Sequence, residues 1–101
     1  MIVVRNIFRI KFGKTKEAAT LWKQAIEINK KLGYGSAQTR LLTDLAGMPY
    51  YTLVLETVHE SLAEFEKASA ALRGSAEWRK VYEQIVPLTE EGRREIYSVI
   101  E

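Results

Sequence analysis

The chain contains no cysteine and a single histidine, His59, in 101 residues. Without cysteine there is no disulfide and no thiolate chemistry, and the composition suits the reducing cytoplasm. Metal ligands are then limited to one imidazole and the carboxylates, so no metal site is expected. No stretch approaches the ~20 apolar residues of a membrane span, and the chain opens on an alternating segment rather than a leader peptide. We expect a complete cytoplasmic protein with no membrane partner.

The net charge is also small, because 15 Lys and Arg residues are balanced by 13 Asp and Glu residues. The basic residues are spread among glutamates instead of forming a patch, so no nucleic-acid partner is expected. Hydrophobic residues at 47% and charged residues at 28% are typical of a globular protein. A chain of this length has room for one modest core, and we expect a single domain over residues 1–101.

Hydrophobic periodicity divides the chain into strand-like and helix-like segments. Thr15 is a candidate helix N-cap, and Gly33 is a candidate C-terminal stop for the same helix. The capping-box sequence SLAE begins at Ser61, and Gly74 interrupts the helical pattern that follows. The predicted elements are a strand at 2–14, a helix at 16–32, strands at 36–45 and 50–59 joined by a turn at 46–49, two helical pieces separated at 73–75, a turn at 89–92 and a strand at 93–101.

The resulting order is βαββαβ, which indicates the α+β class. Short connections and right-handed crossovers convert this order into a four-stranded antiparallel sheet with both helices on one face, the ferredoxin-like arrangement.

Two helices leave the other face of such a sheet uncovered. From Ile2 to Phe12 the even-numbered residues of the first strand are apolar apart from Asn6 and are predicted to face the helices, whereas the odd-numbered residues from 3 to 11 mix valine and isoleucine with arginine and lysine. In each of the other strands, the more polar of the two sets of alternating residues is assigned to the outward face. Even so, the apolar residues that remain on this face form a patch of a size typical of interaction sites. The simplest cover is a second copy of the chain, with the arginines paired to acids such as Asp44, Glu56 and Glu95; alternatively, the charges are simply solvated. The predicted homodimer interface consists of Val3, Arg5, Ile7, Arg9, Arg40, Leu42, Val54, Glu56, Tyr97 and Val99.

The opening VVRNIFRIKFGKTKEA and the Gly-Pro hairpin that leads into LETVHESLAEFE resemble the dimeric α+β barrel superfamily. Within it, the chain is most similar to the NIPSNAP-like and antibiotic-biosynthesis-monooxygenase-like families. The resemblance covers nearly the whole chain and rests on pattern more than on a unique motif. It implies two sheets that close into a barrel across a dimer, and a ligand cavity between the sheet and the second helical region.

Asn6 lies on the predicted helix-facing side, where an unpaired amide costs on the order of 1–3 kcal/mol. It is either a structural residue, bonded to backbone or water, or a residue of the cavity that the resemblance implies. Haem-degrading members of the superfamily carry such an Asn seven residues before a glycine, as Asn6 stands to Gly13. They also use a His about ten residues after a Trp, but here Leu88 stands ten residues after Trp78 and no histidine follows His59. The usual haem iron ligand is therefore missing, and no cofactor is expected.

Further residues could line the same cavity. Trp78 and Tyr82 share a helix face and are either core or ligand-binding residues. His59 is either an exposed residue near the helix cap or a general base at the cavity mouth. The candidate catalytic residues are Asn6, His59 and Tyr82, and the candidate ligand-binding residues are Asn6, Phe8, Trp78 and Tyr82. The ligand would be a small hydrophobic or aromatic molecule.

Three functions remain open. The first is a cofactor-independent enzyme, a monooxygenase, isomerase or cyclase, that acts on an aromatic or polyketide-like molecule. The second is a small-molecule-binding or regulatory module without catalysis; RNA recognition, which uses aromatic residues on the central strands of the same arrangement, is disfavoured because the third strand lacks the alternating Gly-Phe pattern. The third is a NIPSNAP-like dimer that serves protein interaction only.

Overall fold

The computed structural model describes residues 1–33 and 38–101. Within these ranges the strands form one antiparallel sheet in the order β2-β3-β1-β4, which confirms the predicted ferredoxin-like α+β arrangement. The second predicted helical region is divided in two by Gly74. The elements are β1 (Ile2–Ile10), α1 (Thr15–Lys31), β2 (Arg40–Thr43), β3 (Thr52–His59), α2 (Leu62–Arg73), α3 (Ala76–Ile85) and β4 (Thr89–Ser98), with a 3₁₀ turn at Val86–Leu88 before the last strand.

The even-numbered side of β1 faces the helices, as predicted. Val4 and Ile10 are buried there, and the Phe8 ring stacks on Trp22 of α1 with 5.0 Å between ring centroids. The main core contains Ile10, Ala18, Trp22, Ala25, Ile28, Leu53, Val81 and Ile85. The prediction that Phe12 faces the helices is wrong. β1 ends at Ile10, and Phe12 is 83% exposed in the turn that follows.

Local capping chemistry sets the helix ends, with one departure from prediction. Thr15 is the first residue of α1 rather than its cap, and Lys14 takes the cap position without a side-chain hydrogen bond. Ser61 accepts a hydrogen bond from the Glu64 backbone N–H at 3.2 Å, as the capping-box pattern predicts. No helix of the described residues is long and apolar enough to cross a bilayer.

The boundaries of β2, β3 and β4 also differ from prediction, and β4 ends at Ser98 instead of residue 101. β2 spans only Arg40–Thr43, and positions 36 and 37 of its predicted range lie outside the described residues. β3 begins at Thr52, because Tyr51 has a φ of 64° that breaks the extended backbone. Residues 89–92 are part of β4 instead of a turn, since the chain already reverses at Val86–Leu88.

The sheet register confirms which residues share the outward face. Arg5 lies between Glu56 of β3 and Glu95 of β4, and Ile7 pairs with Val54. Arg40 and Leu42 of β2 lie opposite Glu56 and Val54, on the same face. The face carries half-buried or exposed apolar residues, namely Val3, Ile7, Leu42, Val54, Val58 and Tyr97.

One carboxylate joins three strands across this face. Glu56 is only 4% exposed, and its two oxygens accept hydrogen bonds from Arg5 Nε at 2.9 Å and Arg40 Nε at 2.7 Å. Burial by itself would raise the pKa of Glu56, but the hydrogen bonds and charges of the two arginines outweigh it and hold the pKa below its usual value. Of the other predicted acids, Asp44 accepts from the Thr52 N–H instead of pairing with an arginine.

We expect Glu56→Gln to lower the free energy of unfolding at pH 7 by roughly 1–3 kcal/mol, the usual contribution of hydrogen bonds to a charged group. A carboxylate whose pKa is depressed by folding contributes stability above its unfolded pKa, near 4.5, and loses it as pH falls through the folded value. The difference between wild type and variant should therefore shrink below about pH 4.5. Urea unfolding over a pH series, at one protein concentration, measures it.

Glu66→Gln, at an exposed position of α2, is the matched control and should be neutral. An equal loss in that control, or a difference that stays constant down to pH 3, would contradict the assigned role of Glu56.

Candidate functional site

A cavity of about 380 Å³ lies between the helix-facing side of the sheet and the three helices. This volume falls within the ~300–1,000 Å³ of typical small-molecule sites. The sheet contributes residues from β1, β3 and β4, and each helix contributes at least two. The cavity brings together all of the predicted catalytic and ligand-binding residues, which are Asn6, Phe8, His59, Trp78 and Tyr82.

Aromatic rings form a continuous apolar wall. Phe8 stacks on Trp22, and Trp78 stacks on Tyr82 with 4.9 Å between centroids, because residues four apart lie on one helix face. Trp22 meets Tyr82 edge to face at 6.4 Å, which joins the two stacks. Tyr82 remains 39% exposed, so its phenol reaches the solvent side of the wall. Such a wall suits a flat, apolar molecule.

Asn6 meets an arginine that the sequence analysis missed. The Arg94 Nε–H donates to Asn6 Oδ1 at 2.7 Å, and the two residues are directly opposite each other in the β1–β4 register. The Arg94 guanidinium also lies over the Phe65 ring, 5.1 Å from its centroid. A signal for Arg94 existed: it has the opposite parity to Glu95 and Tyr97, which were assigned outward, so it had to face the helices.

His59 lies at the end of β3, close to the start of α2. Its Nε2 is 2.9 Å from the Thr57 hydroxyl, and its ring is 5.1 Å from the Phe65 ring. Burial lowers the pKa of His59 below its usual value of 6.5, so the neutral imidazole is the main form at pH 7. A neutral imidazole is the form that can accept a proton.

Buried polar atoms add further hydrogen-bonding capacity to the lining. Trp22 Nε1, Asn29 Oδ1 and Thr39 Oγ1 have no hydrogen-bond partner among the described residues, and all three residues line the cavity. Sequence reasoning placed Trp22 on the apolar stripe of α1 and did not single out the other two. No group of three or more His, Asp or Glu side chains that could hold a metal ion occurs within residues 1–33 and 38–101.

A second, more open depression of about 480 Å³ adjoins the cavity beside β4. The two spaces share Asn6, Phe8, Trp22, Tyr82 and Arg94. The depression therefore provides a route from solvent to the shared aromatic and polar groups.

The chain matches no family model, and no curated protein matches it in sequence. Solved structures match its fold. A NIPSNAP family protein from Agrobacterium tumefaciens superposes with a TM-score of 0.87 at 20% identity, over 99% of this chain and 86% of that one. An uncharacterized NIPSNAP domain protein from Burkholderia xenovorans gives 0.82 at 18% identity, over 99% and 95%. An antibiotic biosynthesis monooxygenase gives 0.75 at 14% identity, over all of both chains. The resemblance seen in the sequence is thus confirmed at the level of fold.

Gly92 of β4 supports the aromatic wall by having no side chain. A Cβ at this position would lie 2.9 Å from Phe8 Cδ1, closer than real Cβ contacts allow. We expect Gly92→Ala to displace the Phe8 ring, to destabilise the protein by about 1–3 kcal/mol and to change the fluorescence of Trp22, which stacks on Phe8. Urea unfolding and tryptophan emission measure these effects.

Gly74→Ala is the matched control. Its added Cβ would meet only ordinary contacts, 3.5 Å and 3.6 Å away, so stability and emission should stay close to wild type. Wild-type emission and stability in Gly92→Ala would show that Phe8 does not depend on the missing side chain.

Proposed function

We propose that the protein is a homodimeric enzyme that acts, without a bound cofactor, on a small aromatic or polyketide-like molecule held in the cavity. The reaction belongs to the monooxygenase, isomerase or cyclase type, each of which can begin by removing a proton from an activated carbon or hydroxyl of the ligand. The observation that carries the proposal is the meeting of an aromatic wall with a neutral imidazole, a phenol and an oriented amide in one cavity. The cysteine-free chain suits the cytoplasm as its location.

His59 is the proposed general base. Its lowered pKa keeps it unprotonated at pH 7, and the Thr57 hydroxyl contact holds its ring. Asn6 has its Oδ1 bound by Arg94, which leaves its Nδ2–H donors for a ligand oxygen. Tyr82 supplies a phenol hydroxyl that can donate to a second ligand oxygen, and Trp78 holds the flat ring system against Tyr82.

The uncovered face of the sheet supports the homodimer. Helices cover only the other face, and a layer with one apolar side exposed is stable only when a second layer covers it. Apolar residues alternate there with the Arg5–Glu56–Arg40 cluster, so the face is both apolar and polar in a fixed pattern. Such a surface can pair with its own copy about a twofold axis. The superfamily resemblance implies the same barrel-like pairing.

A non-catalytic binding dimer is the second candidate. One observation favours it: His59 Nε2 is already in contact with the Thr57 hydroxyl. This candidate retains the cavity and the dimer and lacks turnover.

The first test of the enzyme is binding and turnover of hydroxylated naphthalenes and anthrones. We expect quenching of tryptophan fluorescence on binding, and catalysed consumption of oxygen or a catalysed change in ligand absorbance. His59→Gln should reduce kcat by a factor of ~10² or more, the usual contribution of a general base, with little change in affinity. The wild-type rate should fall as pH drops below 6.5, because the neutral base is lost through a pKa below that value.

Glu60→Gln, at the exposed neighbouring position, is the control and should leave the rate unchanged. Binding with no turnover of any ligand in the panel would support the binding dimer and reject the enzyme. Absence of binding by every member would reject the cavity as a site for aromatic ligands.

The second test concerns the dimer. Sedimentation should give a particle of twice 11.6 kDa at micromolar concentration. Val54→Asp places a charge at the centre of the uncovered face, beside Ile7 and Leu42, and should yield a folded monomer. Leu62→Asp makes a similar change at an exposed position on α2 and should remain dimeric. A wild-type monomer, or an unchanged dimer in Val54→Asp with native circular dichroism, would contradict the predicted interface.

A further inference from the structure

We propose that the ligand of the cavity is an aromatic acid with a hydroxyl group at its far end, whose carboxylate binds Arg94 and whose hydroxyl binds Asn29 and Thr39. This inference rests on the proposed function only in that both require an aromatic ligand in the same cavity. It adds the charge of the ligand and the positions of its polar groups.

The charge of the cavity lining indicates that the ligand is an anion. Arg73 and Arg94 both line the cavity, and among the described lining residues there is no carboxylate. Arg94 also makes no ion pair with any described residue, whereas its neighbour Arg93 pairs with Glu95 at 3.3 Å on the other face. A cationic cavity without an acid of its own attracts a negatively charged ligand.

Arg94 is oriented for a carboxylate. Its Nε–H is already used by Asn6 Oδ1, and its guanidinium lies over the Phe65 ring, so two contacts hold its plane. The Nη nitrogens remain available, and they form the edge that binds the two oxygens of a carboxylate. Arg94 also belongs to the lining of the adjoining open depression, which contains Glu90, Glu91 and Arg93 as well. Among the described residues, Arg94 is the charged residue that both linings share, so a charged group that enters from the depression meets it.

A second polar group lies near the opposite edge of the sheet. Arg94 is on β4, one edge strand, and Thr39 directly precedes β2, the other edge strand. Three strand spacings of about 4.8 Å place the two outer backbones roughly 14 Å apart, and side chains from both sides shorten the gap. Across this gap lie the rings of the aromatic wall.

The donor and acceptor roles of the unpartnered atoms near β2 indicate which kind of ligand group they bind. The unpartnered atom of Asn29 is its Oδ1, an acceptor without a donor among the described residues. The Thr39 hydroxyl can take either role. A group that both accepts and donates, such as a ligand hydroxyl, satisfies them together, and leaving them unpaired costs stability.

Isothermal titration with three naphthalenes tests the proposal on the intact wild-type protein. The probes are 2-naphthoate, its neutral counterpart 2-naphthamide, and 6-hydroxy-2-naphthoate. We expect 2-naphthoate to bind at least 10-fold more tightly than 2-naphthamide, as a charge-assisted contact provides. The added hydroxyl should tighten binding a further several-fold.

Variants assign the two ends. Arg94→Gln should abolish the preference for the carboxylate, and Arg94→Lys, which retains the charge, should keep part of it. Arg79→Gln is the matched control and should bind like wild type, because Arg79 is exposed on α3 and lines neither the cavity nor the depression. Asn29→Ala should remove the advantage of the hydroxyl without changing the affinity for 2-naphthoate.

Equal binding of the carboxylate and the amide, or equal losses in Arg79→Gln and Arg94→Gln, would overturn the proposal that the ligand is an anion and would leave aromatic binding intact. No gain from the 6-hydroxyl in the wild type would overturn the far-end contact. Failure of all three naphthalenes to bind would overturn this inference, and failure of the neutral aromatic panel as well would overturn the proposed function.

Discussion

The pairing of β1 on both of its sides is the constraint on which the remaining structure depends. Because β1 is bonded to β3 and β4, its side chains are fixed in strict alternation between the two faces. The even positions supply the core and the cavity, including Phe8 and Asn6. The odd positions supply the apolar and charged face that the homodimer would use. A shift of one residue in register would exchange these two sets, so the buried residues of β1 specify both surfaces at once.

Cavity and sheet face are also connected through β3 and β4. Glu56 and Thr57 are consecutive, and the first anchors the Arg5–Glu56–Arg40 cluster while the second contacts His59. Likewise Arg93 faces one side, and Arg94 faces the cavity. Each strand thus carries polar groups that serve opposite faces one residue apart, and the rigidity that holds the outward cluster also fixes the positions of the cavity groups.

The sequence predicted the element order, the sheet and the two faces, because hydrophobic period and capping patterns are local signals. It also predicted a shared cavity for Asn6, Phe8, His59, Trp78 and Tyr82, although that prediction relied on the superfamily resemblance. Strand ends were less predictable: the alternation of β1 continues to Phe12 in the sequence, but the strand ends at Ile10, and Phe12 already belongs to the turn that contains Gly13, whose φ is +75°. Arg94 lies within the strand predicted at 93–101 but was overlooked, because its contact with Asn6 depends on the β1–β4 register, which no local pattern specifies. The unpartnered Trp22, Asn29 and Thr39 atoms depend on the tertiary arrangement and leave no local signal.

The two edges of the sheet limit how the protein can associate with other chains. β2 is only four residues long and begins with Arg40, and β4 carries Glu90, Glu91, Arg93 and Arg94 along its length. Short edge strands and charged edge residues discourage the addition of a foreign strand, which is the route to open-ended aggregation. Growth of the sheet by edge-to-edge pairing is therefore disfavoured at both ends. A concentrated solution of this protein is accordingly protected from fibre formation by Arg40 and by the charged residues of β4, of which Arg94 also lines the cavity.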